Sequence, residues 1–244
     1  MRPPSTPIET ERGVALIIAL MAMTMMLALG SALVLLSSSE TVIAANFRAA
    51  HEAIYAAEAA IEVTLADLRI VPDWTLALSG DVRSLFVDGA PSGTRTLIDG
   101  STVDLDRITN QANCQKPTAC SPADLAATTT ERPWGANNPR WTPYAYGPLA
   151  GLLGAQTVNS AFYVIAFVGD DPSENDNDPA LDGFSASGSP NPGNGIVRIR
   201  AEAFGPRSAH KVIEASVARV ELPPATPGEQ PSTELRVLSW REAR

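Results

Sequence analysis

The densest group of reactive side chains lies in one acidic stretch. Asp170, Asp171, Glu174, Asp176, Asp178 and Asp182 fall within 13 residues, and no Lys or Arg occurs from Gly169 to Val197. Carboxylates at this density are donors for a hard cation, since Ca²⁺ takes 6–8 oxygen ligands. Asp170, Asp171, Asp176, Asp178 and Asp182 are therefore candidate calcium ligands. The spacing is not that of an EF-hand: counting from Asp176, the fifth position is Ala180, and no Glu closes the loop at the twelfth. The other reading of these residues is a solvated acidic loop that runs into the Gly/Ser/Pro/Asn-rich stretch 185–195.

The remaining reactive groups are sparse. Cys114 and Cys120 are the two cysteines, close together in CQKPTAC with Pro117 helping to turn the chain. In an oxidising compartment they are expected to form a disulfide; the alternative is two free thiols. A metal site needs about four ligands, and two thiols without a nearby His fall short. The two histidines, His51 and His210, have no Ser, Cys or metal-ligand neighbour at a recognised spacing. No G-x-S-x-G, P-loop or H-E-x-x-H motif is present. The expectation is a protein that binds rather than an enzyme.

The elements that would position these groups begin at the N-terminus. Residues 14–36 are 23 consecutive residues without a charge, directly after Arg12-Gly13. That run suffices to span a bilayer, and it exceeds the 7–15-residue apolar core of a cleaved signal peptide. Arg2 and Arg12 precede it, and the next basic residue is Arg48. The expected topology is an inner-membrane, single-pass chain with a cytoplasmic N-terminus and a periplasmic C-terminal domain. Within the run, Gly30 and Ser31 could let neighbouring helices approach, or could simply be common membrane-helix residues. Arg2, Glu9, Glu11 and Arg12 sum to zero, so the net charge of −9 belongs to residues 14–244. A domain of that sign does not favour nucleic acid as a partner.

Beyond the run, Ile43, Phe47, Ala50, Ile54, Ala57, Ile61, Leu65 and Leu68 recur at helical spacing and make one apolar stripe. Pro72 ends the segment. A continuous helix over 14–70 would be about 85 Å long. Such a rod must lie partly in a membrane or in a bundle of like helices, while its stripe docks on a sheet. The rest reads as strands. Residues 94–98 and 101–105 flank Asp99-Gly100, a two-residue hairpin signal. Residues 110–146 read as a long loop carrying the cysteines, with Trp134, Trp141, Tyr144 and Tyr146 anchoring it to the domain or forming an exposed patch. Residues 161–168, 196–204 and 211–220 suggest an antiparallel meander with one buried face, Arg198, Arg200 and Glu202 lying opposite Val197, Ile199, Ala201 and Ala203. A Pro-rich linker (223–231) precedes a short apolar tail with Leu235, Val237, Leu238 and Trp240.

The expected fold class is α+β: a long N-terminal transmembrane and amphipathic helix packed on an antiparallel β-sheet domain. The expected divisions are a leader (1–13), the long helix (14–70; 14–36 transmembrane, 37–70 amphipathic), a β-rich domain (71–222) and the linker with a C-terminal strand (223–244).

Over residues 12–68 the chain resembles the PilX-like minor pilins of type IV pilus systems. The residues that carry this are Arg12-Gly13-Val14-Ala15-Leu16, the exit at Ser37 to Glu40, Asn46, Arg48 and Ala56-Ala57-Glu58-Ala59. The resemblance implies processing between Gly13 and Val14 by a prepilin peptidase and methylation of Val14. It implies membrane lipid, other pilins and minor pilins, and the inner-membrane pilus assembly machinery as partners, in pilus assembly, initiation or adhesion. One position departs from major pilins: the fifth residue of the processed chain is Ile18, not the Glu that neutralises a neighbour's N-terminus. A tip-type pseudopilin of type II secretion shares that gap and is the second reading. A membrane-tethered periplasmic protein of other activity is the third.

Overall fold

The computed structural model describes residues 11–152, 159–174, 176–183, 193–222 and 232–243. The first ten residues of the expected leader and the Pro-rich linker 223–231 lie outside them. Compact units divide the chain between Arg48 and Ala49. One helix, α1 (Glu11–Ile70), runs through that division. It is α-helical throughout because no Pro interrupts it and because Ala, Leu and Met, all strong helix formers, fill it. Its hydroxyls do not compete with the helix: Thr24, Ser31, Ser38, Ser39 and Thr41 each donate to a carbonyl three or four residues back.

In the unit from Ala49, the last turns of α1 carry Ala49, Ala53, Ala56, Ala57, Ala60, Ile61, Leu65 and Leu68 into the interior. Small side chains at the first five let the helix axis approach the sheet, and the larger ones fill the far end. The stripe read from the sequence is thus corrected at its start: Ile43 and Phe47 are 66% and 67% exposed and take no part in the core. After Pro72, Trp74 is fully buried, and its indole N–H donates to Leu68 O at 2.9 Å. A one-turn helix α2 (Thr75–Leu78) follows.

The sheet has five strands in sequence order: β3 (Thr142–Pro148), β4 (Tyr163–Asp170), β5 (Ile196–Gly205), β6 (Ala209–Leu222) and β7 (Ser232–Ala243), all antiparallel. Val164, Ala166 and Val168, with Val197, Ile199, Ala201, Ala203, Ile213, Ala215 and Val217, share one core with α1. The fold is therefore an α+β arrangement of a long apolar N-terminal helix and an antiparallel sheet domain.

The expectation of a single buried face is corrected. Every residue of β4 is buried, because a second layer covers its other face. That layer is built from the hairpin β1 (Thr94–Thr96) and β2 (Thr102–Asp104) and from α3 (Leu105–Cys114). Leu97, Val103, Leu105, Ile108, Ala112 and Trp141 pack there on Tyr163, Ile165 and Phe167. The hairpin is longer-looped than Asp99-Gly100 suggested. Thr96 pairs with Thr102, Gly100 N–H donates to Leu97 O at 3.0 Å, and Gly100 has φ 82°. Gly tolerates that left-handed backbone without steric cost. Part of the expected long loop is also ordered: α3 starts at an Asp104 cap whose carboxylate accepts from Arg107 N–H at 3.0 Å, a short helix α4 (Pro122–Leu125) follows a Ser121 capping box, and the segment ends in β3. Cys114 and Cys120 are disulfide-bonded and join the end of α3 to the turn before α4.

Candidate functional site

Three features could serve function: the exposed length of α1, a charged cleft on the second face of the sheet, and the acidic end of β4.

From Gly13 to Ile70, α1 is long and apolar enough to cross a membrane, the one such helix among the described residues. Residues 14–36 are exposed throughout. Removing each large apolar side chain from water is worth on the order of 1.5–3 kcal/mol, so a surface of this composition is stable only when covered. Lipid is compatible with it because each backbone group and hydroxyl there is satisfied within the helix. The candidate processing pair, Gly13 and Val14, lies in the first turns of α1, and no atom comes within 4 Å of a Cβ built on Gly13. A peptidase needs an extended strand at the bond it cuts. Gly inside a helix costs roughly 0.5–1 kcal/mol relative to Ala, so Gly13 weakens the helix locally.

The cleft has a volume of about 1070 Å³ and lies over β5, β6 and β7, walled on one side by the end of α3 and by Trp134 and Trp141. Its floor is a chain of ion pairs that ends in a Glu–His hydrogen bond. Arg198 Nη2 lies 2.9 Å from Glu214 Oε2, Arg200 Nη1 2.8 Å from Glu214 Oε1, and Arg241 Nη2 2.5 Å from Glu214 Oε2. Arg200 Nε reaches Glu202 Oε1 at 2.8 Å, and Glu202 Oε2 lies 2.9 Å from His210 Nε2. Trp134 and Trp141 flank Arg198, with its guanidinium carbon 5.5 and 5.6 Å from their ring centroids. Burial works to raise the pKa of Glu202 and Glu214. For Glu202 the His210 hydrogen bond and the Arg200 charge outweigh it, and for Glu214 Arg241, Arg198 and Arg200 do, so both end below the ordinary carboxylate value. Carboxylates held ionised in this way make structural ties and poor general acids. The aromatic cluster is resolved by residue: Trp141, Tyr144 and Tyr146 are buried anchors, and Trp134 is 40% exposed at the cleft rim.

Of the acidic residues, the fold brings Asp170, Glu174 and Asp176 together, each offering a carboxylate oxygen within 4.8 Å of the others. Asp170 is the last residue of β4, 4% exposed, and Glu174 is buried beside it. Burial, then the charge of Glu174, pushes the Asp170 carboxyl up to about 9, with Asp176 and Asp182 adding to the rise. Asp182 is also raised, first by burial, although its Oδ1 accepts from Gly195 N–H at 2.6 Å. Asp171 and Asp178 are used locally: each accepts from a backbone N–H two residues on, at 2.9 and 3.1 Å. Glu174, absent from the candidate ligands named from sequence, is at the centre of the cluster. Its place four residues after Asp170, the last residue of an otherwise uncharged strand, was the available signal.

No curated protein and no solved structure matches the chain. Residues 12–62 match the family described as PilX N-terminal, about one-fifth of the 244 residues, and over that stretch, covering the exposed helix and its first turns on the sheet, the chain is PilX-like.

Proposed function

We propose that this chain is a minor pilin-like subunit of a type IV pilus system, acting through helix packing and protein contact. The observation that carries the reading is α1: an apolar helix, exposed over 14–36, that continues without a break into an alanine-rich contact with a sheet. The PilX N-terminal match over the same residues supports it. In this reading the chain waits in the inner membrane with its N-terminus cytoplasmic, as Arg2 and Arg12 favour. A prepilin peptidase cuts after Gly13, Val14 is methylated, and the assembly machinery transfers the helix from lipid to a bundle of pilin helices. The sheet domain then faces the periplasm or the exterior.

Ile18 favours a position at the start of assembly. A newly exposed N-terminal ammonium buried in a bundle is costly without a counter-charge, and Ile18 supplies none. The same residue favours the second reading, a tip-type pseudopilin of type II secretion.

The test is mass spectrometry of the chain recovered from membranes. The expected N-terminus is N-methyl-Val14. A full-length chain still carrying residues 1–13, or a lipid-free chain beginning near Ala45, overturns the proposal. In a deletion strain, loss of surface pili with normal secretion favours the pilus, and the reverse favours the secretion machine.

A further inference from the structure

The end of β4 is an unusual place for carboxylates. Asp170 pairs with Val197 of β5 at the end of the β4–β5 ladder, so its backbone is fixed. Its side chain is 4% exposed, and its Oδ1 is buried with no hydrogen-bond partner among the described residues. Asp176 Oδ2 is likewise buried and without a partner there. The connection to β5 folds back so that Glu174 and Asp176 present oxygens within 4.8 Å of an Asp170 oxygen. The turn is packed closely: a Cβ on Gly193 would come within 2.4 Å of Glu174 Cγ, and one on Gly183 within 3.3 Å of Asp176 Oδ2.

We infer that Asp170, Glu174 and Asp176 form a binding site for a hard divalent cation, Ca²⁺, which fastens the β4–β5 connection to the end of β4. An unpaired buried carboxylate costs several kcal/mol unless a cation or a proton neutralises it. Ca²⁺–oxygen distances of about 2.3–2.6 Å place opposed ligands roughly 4.6–5.2 Å apart. Oxygens within 4.8 Å of one another fit inside that shell without rearrangement. Asp182 adds negative charge nearby but is engaged by Gly195. Asp171, Asp176 and Asp178 each accept a backbone N–H of their own turn through Oδ1, and of the three Asp176 alone keeps a buried, unpartnered second oxygen among the described residues. The site therefore differs from the five aspartates that the sequence alone nominated.

Asp170 at the strand end faces Glu174 and Asp176 from the connection, so the three carboxylates converge on one point. The experiment uses the full chain in detergent, stripped with EDTA and titrated calorimetrically with CaCl₂, and separately with MgCl₂, at pH 7. One Ca²⁺ per chain is expected. Asp170→Asn should weaken binding at least tenfold. Glu174→Gln should weaken binding similarly, and Asp178→Asn should leave it unchanged. For the unmodified chain, the melting midpoint should rise by about 5–10 °C at a hundredfold excess over Kd. That measurement does not depend on any variant folding. Absence of heat and of a melting shift at millimolar Ca²⁺ overturns the inference. So does binding that Asp178→Asn weakens as much as Asp170→Asn, which would mean diffuse surface charge, and so does a clear preference for Mg²⁺.

Discussion

Glu214 is gripped by Arg198, Arg200 and Arg241 and is 6% exposed. Removing it would strand the largely buried Arg198 guanidinium and leave Arg200 with Glu202 alone. Glu214→Ala should therefore destabilise the domain by about 3–5 kcal/mol, read as a lowered urea midpoint at unchanged slope. The same network sets the acid limit. Glu202 and Glu214 ionise below their unfolded values, so their contribution is complete above the ordinary carboxylate range and is lost as pH falls through their depressed pKa values. Asp170 has the opposite sign. Its folded pKa is raised to about 9, so in chelator its contribution is complete below the unfolded value near 3.8 and drains away as pH climbs toward 9. Denaturation at a series of pH values in EDTA should show both limbs, with Asp170→Asn removing the alkaline one. The pairing of Arg200 with Glu214 was within reach of the sequence: once the Gly205–Ala209 turn is placed, counting back along both strands sets these residues opposite each other. The burial of that face was not, because it depends on residues some 60–110 positions earlier folding over it.

At the scale of elements, the α1 contact depends on small side chains. Ala57 is completely buried against the sheet core, so Ala57→Leu should cost about 1–3 kcal/mol by overpacking, while Ile61→Ala should cost about 2–5 kcal/mol by leaving a cavity. Thermal unfolding of the two variants distinguishes this close contact from a loose one, in which the leucine would be tolerated. Periodicity located this element well, since apolar residues at helical spacing and a terminating proline are strong local signals. It also extended the stripe too far, to Ile43 and Phe47, because spacing reports a face and not what covers it. Helix α3 escaped notice for a different reason. Leu105, Ile108 and Ala112 carry its buried face with only three apolar residues among polar ones, although Asp104 marked its start. The disulfide behind it closes a short loop between residues six apart. Chain-entropy reasoning assigns such a loop about 2 kcal/mol, so Cys114→Ser with Cys120→Ser should lower stability by that amount and leave the sheet intact by circular dichroism.

For the whole molecule, the proposed processing makes a sharp demand. A bulky residue at the scissile position, Gly13→Leu, should leave the leader attached, seen as a heavier membrane-bound species without a methylated N-terminus. Normal assembly by that unprocessed chain would favour a simple tether. The end of α1 bears on what happens afterwards. Arg219 on β6 donates to Val71 O and Pro72 O at 2.7 Å each and stacks 4.3 Å from the Trp74 ring centroid. Traction at the end of α1 would then reach β6, the fourth of the five strands, through a guanidinium fork and an indole. On the proposed pilin reading, this tie would carry tension from the helix into the sheet domain, and Arg219→Ala should lower the force at which the helix peels away in a single-molecule pulling trace.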